Sequence, residues 1–299
     1  MRNIILSLGC SYTADGFSSL RSELKDAPAS VKGPWKMWPQ IFKDKLSERD
    51  RSPYRLINDG RSGSSMDWAA EKFFENWIKY KDSLKVVLWA GTSYLRFQHF
   101  ATDEVNGSFN LNNYKDNQFH YSEEVKFGEF IGTRNRFASM ADSFNGMAEY
   151  GCYLASTTKD DAIYVRQAKI NHERLVCIKD LCESNNVHFI YYPMFSPFGG
   201  GTYSKLGGRT QGLTRGETMN YLYTGSYSAW EDMSASKNFI GIGPYGFVWD
   251  NWLHTVQKGP DENYLISHNK EYPNVDSHPN SKGQELIANE FWKHYEEHF

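Results

Sequence analysis

Two short segments at opposite ends of the chain carry the residue types of nucleophilic catalysis. Gly9-Cys10-Ser11-Tyr12-Thr13 follows an apolar run near the N-terminus, and Asp276-Ser277-His278-Pro279-Asn280 precedes the last helix-forming stretch. They supply a hydroxyl, an imidazole and a carboxylate. With those three groups a serine can attack a carbonyl: the imidazole takes the serine proton, and the carboxylate orients the ring and stabilises its charged form. Only a fold that closes nearly the whole chain brings them together.

The elements that would deliver these groups can be read from the pattern around them. Residues 3–8 form a short apolar run, so the Gly9-Cys10-Ser11 turn places Ser11 at a strand's carboxyl end, where open α/β sheets carry their sites. After Trp35-Lys36-Met37-Trp38-Pro39, residues 40–46 resemble a helix with Trp38 and Ile41 available to a core. Residues 55–58 predict a second strand ended by the turn formers Asp59-Gly60 and Ser62-Gly63. Met66–Tyr80 is helix-like, with Trp68, Phe73, Trp77 and Tyr80 at helical intervals. Residues 84–90, with Val86-Val87-Leu88-Trp89 at their centre, form the continuous apolar run of a strand buried on both faces.

Further on, Thr158-Lys159-Asp160-Asp161 reads as a capping-box start for a helix running to about Ser184. Its apolar face would carry Ile163, Ile170, Cys177, Ile178 and Leu181, and residues 187–192 follow as another strand. Helix and strand together make the crossover unit of a parallel sheet. Residues 282–298 predict a terminal helix with Leu286, Ile287, Phe291 and Tyr295 on one face. The whole chain reads as a single domain over 1–299, with insertions at about 97–155 and 196–272, where no period is evident.

Composition narrows the function classes. The 299 residues carry a net charge of −3, and the basic residues are dispersed rather than gathered in runs, so nothing points to nucleic acid. Cys10, Cys152, Cys177 and Cys182 show neither a CxxC pair nor zinc-ligand spacing, which predicts reduced thiols. His99, His120, His172, His188, His254 and His268 form no metal-ligand motif, so no metal is expected. Ile4-Ile5-Leu6 is too short for a signal-peptide core, and no segment has the apolar length of a membrane span. Synthesis in a cytoplasm and no membrane partner are the expectations; the oligomeric state is open.

In its ordered blocks the chain resembles the SGNH (GDSL-type) hydrolases. Gly9-Cys10-Ser11-Tyr12-Thr13 is similar to the nucleophile block and Asn58-Asp59-Gly60-Arg61-Ser62-Gly63 to the glycine block. Leu88-Trp89-Ala90-Gly91-Thr92-Ser93 is similar to the third block, and Asp276-Ser277-His278-Pro279 to the histidine block. Gly-Cys-Ser near the N-terminus, Trp38-Pro39 and Arg96 resemble divergent members from bacteriophages and aquatic bacteria. The resemblance implies a three-layer α/β/α sandwich with a mostly parallel, flavodoxin-like sheet and no cofactor. It implies Ser11 as nucleophile, His278 as general base and Asp276 as its orienting carboxylate, with an oxyanion hole from the amides of Ser11 and Gly63.

Three departures from the family pattern shape the expectations. Cys10 stands where the family has Asp; it should point into the core, a thiolate nucleophile at this position being the alternative to Ser11. Thr92 stands near the usual oxyanion-hole Asn and can donate one hydrogen bond, with Ser93 as the alternative donor. The family's Asp precedes its His by three residues, whereas here Val275 holds that position and Asp276 is the carboxylate. Asp276 could reach the ring if the loop turns differently, or a backbone carbonyl could orient His278 instead. Arg96 is a candidate for an anionic substrate group, against a structural ion pair or aromatic stacking.

The resemblance implies serine esterase action on a small-molecule or glycan ester, with O-acetylated carbohydrates as the preferred class by analogy, because the shallow site of this fold often handles acetylated glycans and the aromatic loops could stack on sugar rings. The alternative is a weak or inactive SGNH-like module that binds glycans or serves as a structural part, for example of a phage particle.

Overall fold

A computed structural model describes residues 2–62, 64–92, 162–194, 232–233, 235–240, 264–266, 269–273, 275–276 and 278–299, together with three short strands at 97–100, 119–120 and 130–133. For those three strands and for 162–168 only the backbone is described.

The apolar runs become a parallel sheet. Strand β1 (Ile4–Gly9) lies between β2 (Arg55–Gly60) and β3 (Leu84–Gly91), and β3 pairs on its other side with β7 (His188–Pro193). All three ladders are parallel. Beyond β7, Tyr191 bridges Phe239, with the Tyr191 amide donating to Asn238 O at 2.8 Å and the Ile240 amide to Tyr191 O at 2.9 Å. This is the doubly wound, flavodoxin-like order, with a switch point between β1 and β3.

Side chains alternate across the sheet with period two. Leu6 and Leu8 of β1, Val87 and Trp89 of β3, and Phe189 and Tyr191 of β7 face α3 (Met66–Tyr80) and α4 (Ala162–Ser184). Ile5, Val86, Leu88, Ala90, Ile190 and Tyr192 face α2 (Trp38–Arg49) and α5 (Ser281–His298). Helices therefore cover both faces, and the expected three-layer α/β/α sandwich is the observed architecture. On the second face Trp38 stacks on Phe291 with centroids 4.3 Å apart, and Phe42 meets Tyr295 edge-on at 5.6 Å. Truncating one of these rings to alanine would cost about 3–5 kcal/mol.

The differences from the sequence reading have local causes. Helix α2 begins at Trp38 rather than 40, because Pro39 occupies the first turn, where a missing N–H costs nothing. Strand β2 continues through Asp59 and Gly60, pairing them with Leu8 and Gly9, so Gly60 serves close approach rather than a turn. A Cβ there would lie 2.7 Å from the Thr13 backbone carbonyl carbon. Helix α4 buries Asn171, His172, Leu175, Ile178, Lys179 and Cys182, while Cys177, expected on its apolar face, is exposed. Lys179 reaches the edge to pair with Asp232 at 2.6 Å, so polar residues on the buried stripe masked its period.

The capping box at 158–161 and most of both expected insertions lie outside the described residues. Within the first, β4 (Phe97–Phe100), β5 (Phe119–His120) and β6 (Phe130–Thr133) form a separate antiparallel sheet in the order β4-β6-β5, where the sequence shows no period. Cys10, Cys177 and Cys182 are free thiols. Among the described residues, no helix is long and apolar enough to cross a membrane, and no cluster of His, Cys, Asp and Glu could hold a metal.

Candidate active site

The nucleophile segment folds back as soon as it leaves β1. The amides of Thr13 and Ala14 both donate to Cys10 O, at 2.9 and 3.0 Å, making a single helical turn. The leading amides of such a turn, Ser11 among them, find no acceptor within it. Cys10 is fully buried and packs with the core on the α2–α5 face, as expected of it, whereas Ser11 turns toward the other end of the chain.

Strand β2 braces this turn. The Asn58 amide nitrogen donates to Thr13 O at 2.7 Å and to Asp15 Oδ1 at 2.8 Å, while Asn58 Oδ1 accepts from the Gly60 amide at 3.1 Å. Gly9 O accepts from the Arg61 amide at 3.0 Å and the Ser64 hydroxyl at 2.8 Å. Arg61 and Ser64 are thereby tied to the end of β1. Ser65 then caps α3, accepting from the Trp68 amide at 3.1 Å.

The histidine segment is fixed from the opposite direction. Leu265 and Pro279 form an antiparallel bridge in which the Ile266 amide donates to His278 O and the Asn280 amide to Tyr264 O, each at 3.0 Å. Asn280 caps α5 by accepting from the Gly283 amide at 3.1 Å. Asp276 accepts from the amide two residues on, its Oδ1 lying 3.0 Å from His278 N. This Asx-type turn folds the carboxylate back over the following residue.

The three separated groups meet in one line. His278 Nε2 is 2.7 Å from Ser11 Oγ, and His278 Nδ1 is 2.6 Å from Asp276 Oδ1. The two-residue spacing is accommodated because the Asx turn presents one carboxylate oxygen to both the amide and the ring of His278. Burial alone would raise the Asp276 pKa. The His278 hydrogen bond and charge, the Ser19 hydroxyl and the His278 amide outweigh that effect and hold it at about 2, below its ordinary 3.8. The carboxylate thus stays ionised at any pH well above 2.

Ser11 is 1% exposed and Asp276 6%, whereas the His278 side chain is 24% exposed. Tyr12 is buried and meets the imidazole edge-on at 5.4 Å. Thr92, at the end of β3, is buried at the same carboxyl edge of the sheet. Gly63, Ser93 and Arg96 lie outside the described residues. Asp67 sits in the first turn of α3 and pairs with Arg174.

Two residues absent from the sequence reading touch the site. Ser19 donates to Asp276 Oδ2, and Phe17 stacks on His278 with centroids 4.4 Å apart and planes at 30°. Neither has a local signal, since both belong to an aperiodic stretch and meet partners more than 250 residues away.

No family model and no curated relative matches the chain. Solved structures with similar course include a lipase from a goat rumen metagenome, at 12% identity and a TM-score of 0.46 over 98% of this chain and 97% of that one. The psychrotrophic esterase EstA from Pseudoalteromonas sp., inhibited by monoethylphosphonate, aligns at 14% identity and a TM-score of 0.38, covering 99% and 97%. Phospholipase A1 from Streptomyces albidoflavus NA297 aligns at 12% identity and a TM-score of 0.36 over all of both chains. At these identities no residue role is carried over from any of them.

Proposed function

We propose that this chain is a serine ester hydrolase of SGNH type. The observation that carries the reading is the continuous hydrogen-bond line from Ser11 Oγ through His278 to Asp276. In the proposed reaction His278 Nε2 takes the Ser11 proton as Oγ attacks the ester carbonyl, and the tetrahedral oxyanion forms beside the Ser11 amide. The loop carrying Gly63 and the Thr92 hydroxyl are proposed as further donors. Collapse expels the alcohol, protonated by the imidazolium, and leaves an acyl-Ser11 ester. Water, deprotonated by the same nitrogen, then releases the acid and restores the hydroxyl. Asp276, ionised throughout, favours the imidazolium in both halves.

O-acetylated carbohydrates are the substrate class we propose first. Aromatic rings supply the flat faces on which sugars stack, and the half-buried Phe17 lies beside the imidazole. The test compares wild type with Ser11→Ala and His278→Ala on p-nitrophenyl acetate, with acetate release from acetylated glycans and short acyl esters measured in parallel. Each variant should lose most turnover while remaining folded, and the double variant should be little worse than either alone. Wild-type rates in Ser11→Ala would overturn the mechanism. Selectivity for simple acyl esters over acetylated glycans would overturn the substrate class alone.

A further inference from the structure

The connection between β1 and α2 closes over the histidine loop and supplies a contact the triad does not account for. Asp276 Oδ1 is occupied by the amide and ring of His278. Its second oxygen, Oδ2, accepts from the Ser19 hydroxyl. Ser19 and Asp276 are 7% and 6% exposed, so water does not readily substitute for either partner. The Arg21 amide lies 3.4 Å from Ser19 Oγ, so the hydroxyl accepts from the backbone and turns its proton to the carboxylate.

The connection is built to hold that hydroxyl in place. The Ser19 amide donates to Lys32 O at 2.8 Å. Gly33 adopts φ +90°, where a Cβ would fall 2.5 Å from Phe17 O, so the return of the chain passes directly under Phe17. Leu24, Ala27 and Ile266 form a small core with Phe17, Val31, Trp35, Tyr272 and Val275 around them. This core joins the connection to the chain on the N-terminal side of Asp276. Phe17 covers one face of the imidazole from the same segment.

We infer that Ser19 is a positioning residue of the hydrolytic site, its hydroxyl locking the Asp276 carboxylate in the orientation that presents Oδ1 to His278. This rests on the hydrolase reading above. An Asx turn alone leaves the carboxylate able to swing about its last torsion, out of line with the His278 ring. A donor fixed on Oδ2 removes that freedom, and a buried lone pair left without it carries a desolvation cost. The two-residue spacing works because a distant hydroxyl completes the geometry.

The test uses the full chain with p-nitrophenyl acetate, counting active sites with a fluorophosphonate. Ser19→Ala should lower kcat per labelled site about 10- to 100-fold and change KM less than about twofold, because the contact acts on the base rather than on substrate binding. Ser19→Thr, which keeps the hydroxyl, should restore most of the rate; Ser19→Cys, with similar outline and a weak donor, should not. In an Asp276→Ala background, Ser19→Ala should add less than about twofold, since the two residues act through one another. A purely structural role would reduce yield or Tm while leaving kcat per labelled site unchanged, and its effect would add to that of Asp276→Ala.

A wild-type rate in Ser19→Ala, or full additivity, overturns the proposal while the hydrolase reading stands. Wild-type protein that neither hydrolyses esters nor takes the label overturns both. If Ser19→Ala fails to fold, the Ser19→Cys and Ser19→Thr pair decides: equal rates sink the proposal.

Discussion

Replacing Asp276 with asparagine separates the charge of the carboxylate from its shape, and the surroundings predict how the amide will sit. Three donors face Asp276: the His278 amide, the His278 ring and the Ser19 hydroxyl. An amide group offers one oxygen and one NH2. Placing NH2 on the His278 side would set it against a backbone N–H that cannot reverse. Placing it on the Ser19 side requires only that the hydroxyl rotate and accept. The second arrangement should prevail, leaving the asparagine oxygen on Nδ1–H and the imidazole with Nε2 free to act as base. In a serine protease whose Asp→Asn change selects the wrong tautomer, the loss is about ten-thousandfold.

Here the tautomer survives and only the charge is lost. For unit charges about 4 Å apart at an effective dielectric constant near 20, that charge is worth about 4 kcal/mol, or about a thousandfold in rate. The part-exposed His278 ring lowers this, so Asp276→Asn should reduce kcat about 100- to 1000-fold with KM nearly unchanged. The assay is steady-state hydrolysis of p-nitrophenyl acetate, with circular dichroism confirming the fold. A loss of ten-thousandfold or more would refute the argument for the amide's orientation. Full activity would reduce the site to a Ser11 and His278 dyad.

Three other outcomes follow from the same contacts. Thr92→Val deletes a hydroxyl at constant outline and should lower kcat roughly ten- to a thousandfold with a smaller effect on KM; an unchanged kcat removes Thr92 from the oxyanion hole. Asn58→Ala removes the brace on the Thr13 carbonyl and should cost about 1–3 kcal/mol in urea unfolding together with about tenfold in kcat; a loss of stability without loss of rate would show that Ser11 is placed without it. Acid should destabilise the fold in two stages. Burial holds His172 neutral, with its pKa pushed down from 6.5 to about 3, so the unfolded chain binds more protons and stability falls with pH across that interval. His188, lowered to about 4 by burial and nearby cations, contributes in the same interval, so His172→Phe should reduce the slope of urea midpoints between pH 7 and 4 without abolishing it. The Asp276 carboxyl, held at about 2 against 3.8, favours the folded state above about pH 4 and loses that contribution as pH falls to 2. The pH-dependent difference from Asp276→Asn should be about 2 kcal/mol near neutral pH, shrink as pH falls from 4 to 2 and vanish only below the folded-state pKa.

What could be read in advance was set by how far each constraint reaches along the chain. Strand β3 is buried on both faces, so its apolar run from Val86 to Ala90 is continuous and unambiguous, and β1 is nearly so, broken only by the buried Ser7. Helix α3 matches its expected span because Ser65 caps it and its apolar residues recur at helical spacing. Helix α4 shows the limit: its buried stripe includes Asn171, His172 and Lys179, whose polarity hides the face that packing selects. Gly60 was read as a turn because glycine has two uses, and only the proximity of the Thr13 backbone identifies the one employed.

The site divides along the same line. Ser11 and His278 announce themselves by residue type within local motifs, but the fitness of Asp276 depends on geometry that spacing does not encode. Counting residues between Asp and His assumes one loop conformation. The Asx turn at Asp276 substitutes another, in which a single oxygen serves the amide and the ring while Ser19 occupies the second oxygen. That hydroxyl comes from a segment with no period, held over the histidine loop by Gly33, Trp35 and the small core around Leu24. A carboxylate that looks misplaced by one residue is therefore well placed once the long connection after β1 is folded, and the connection's own sequence carries no sign of the task until its partners are in view.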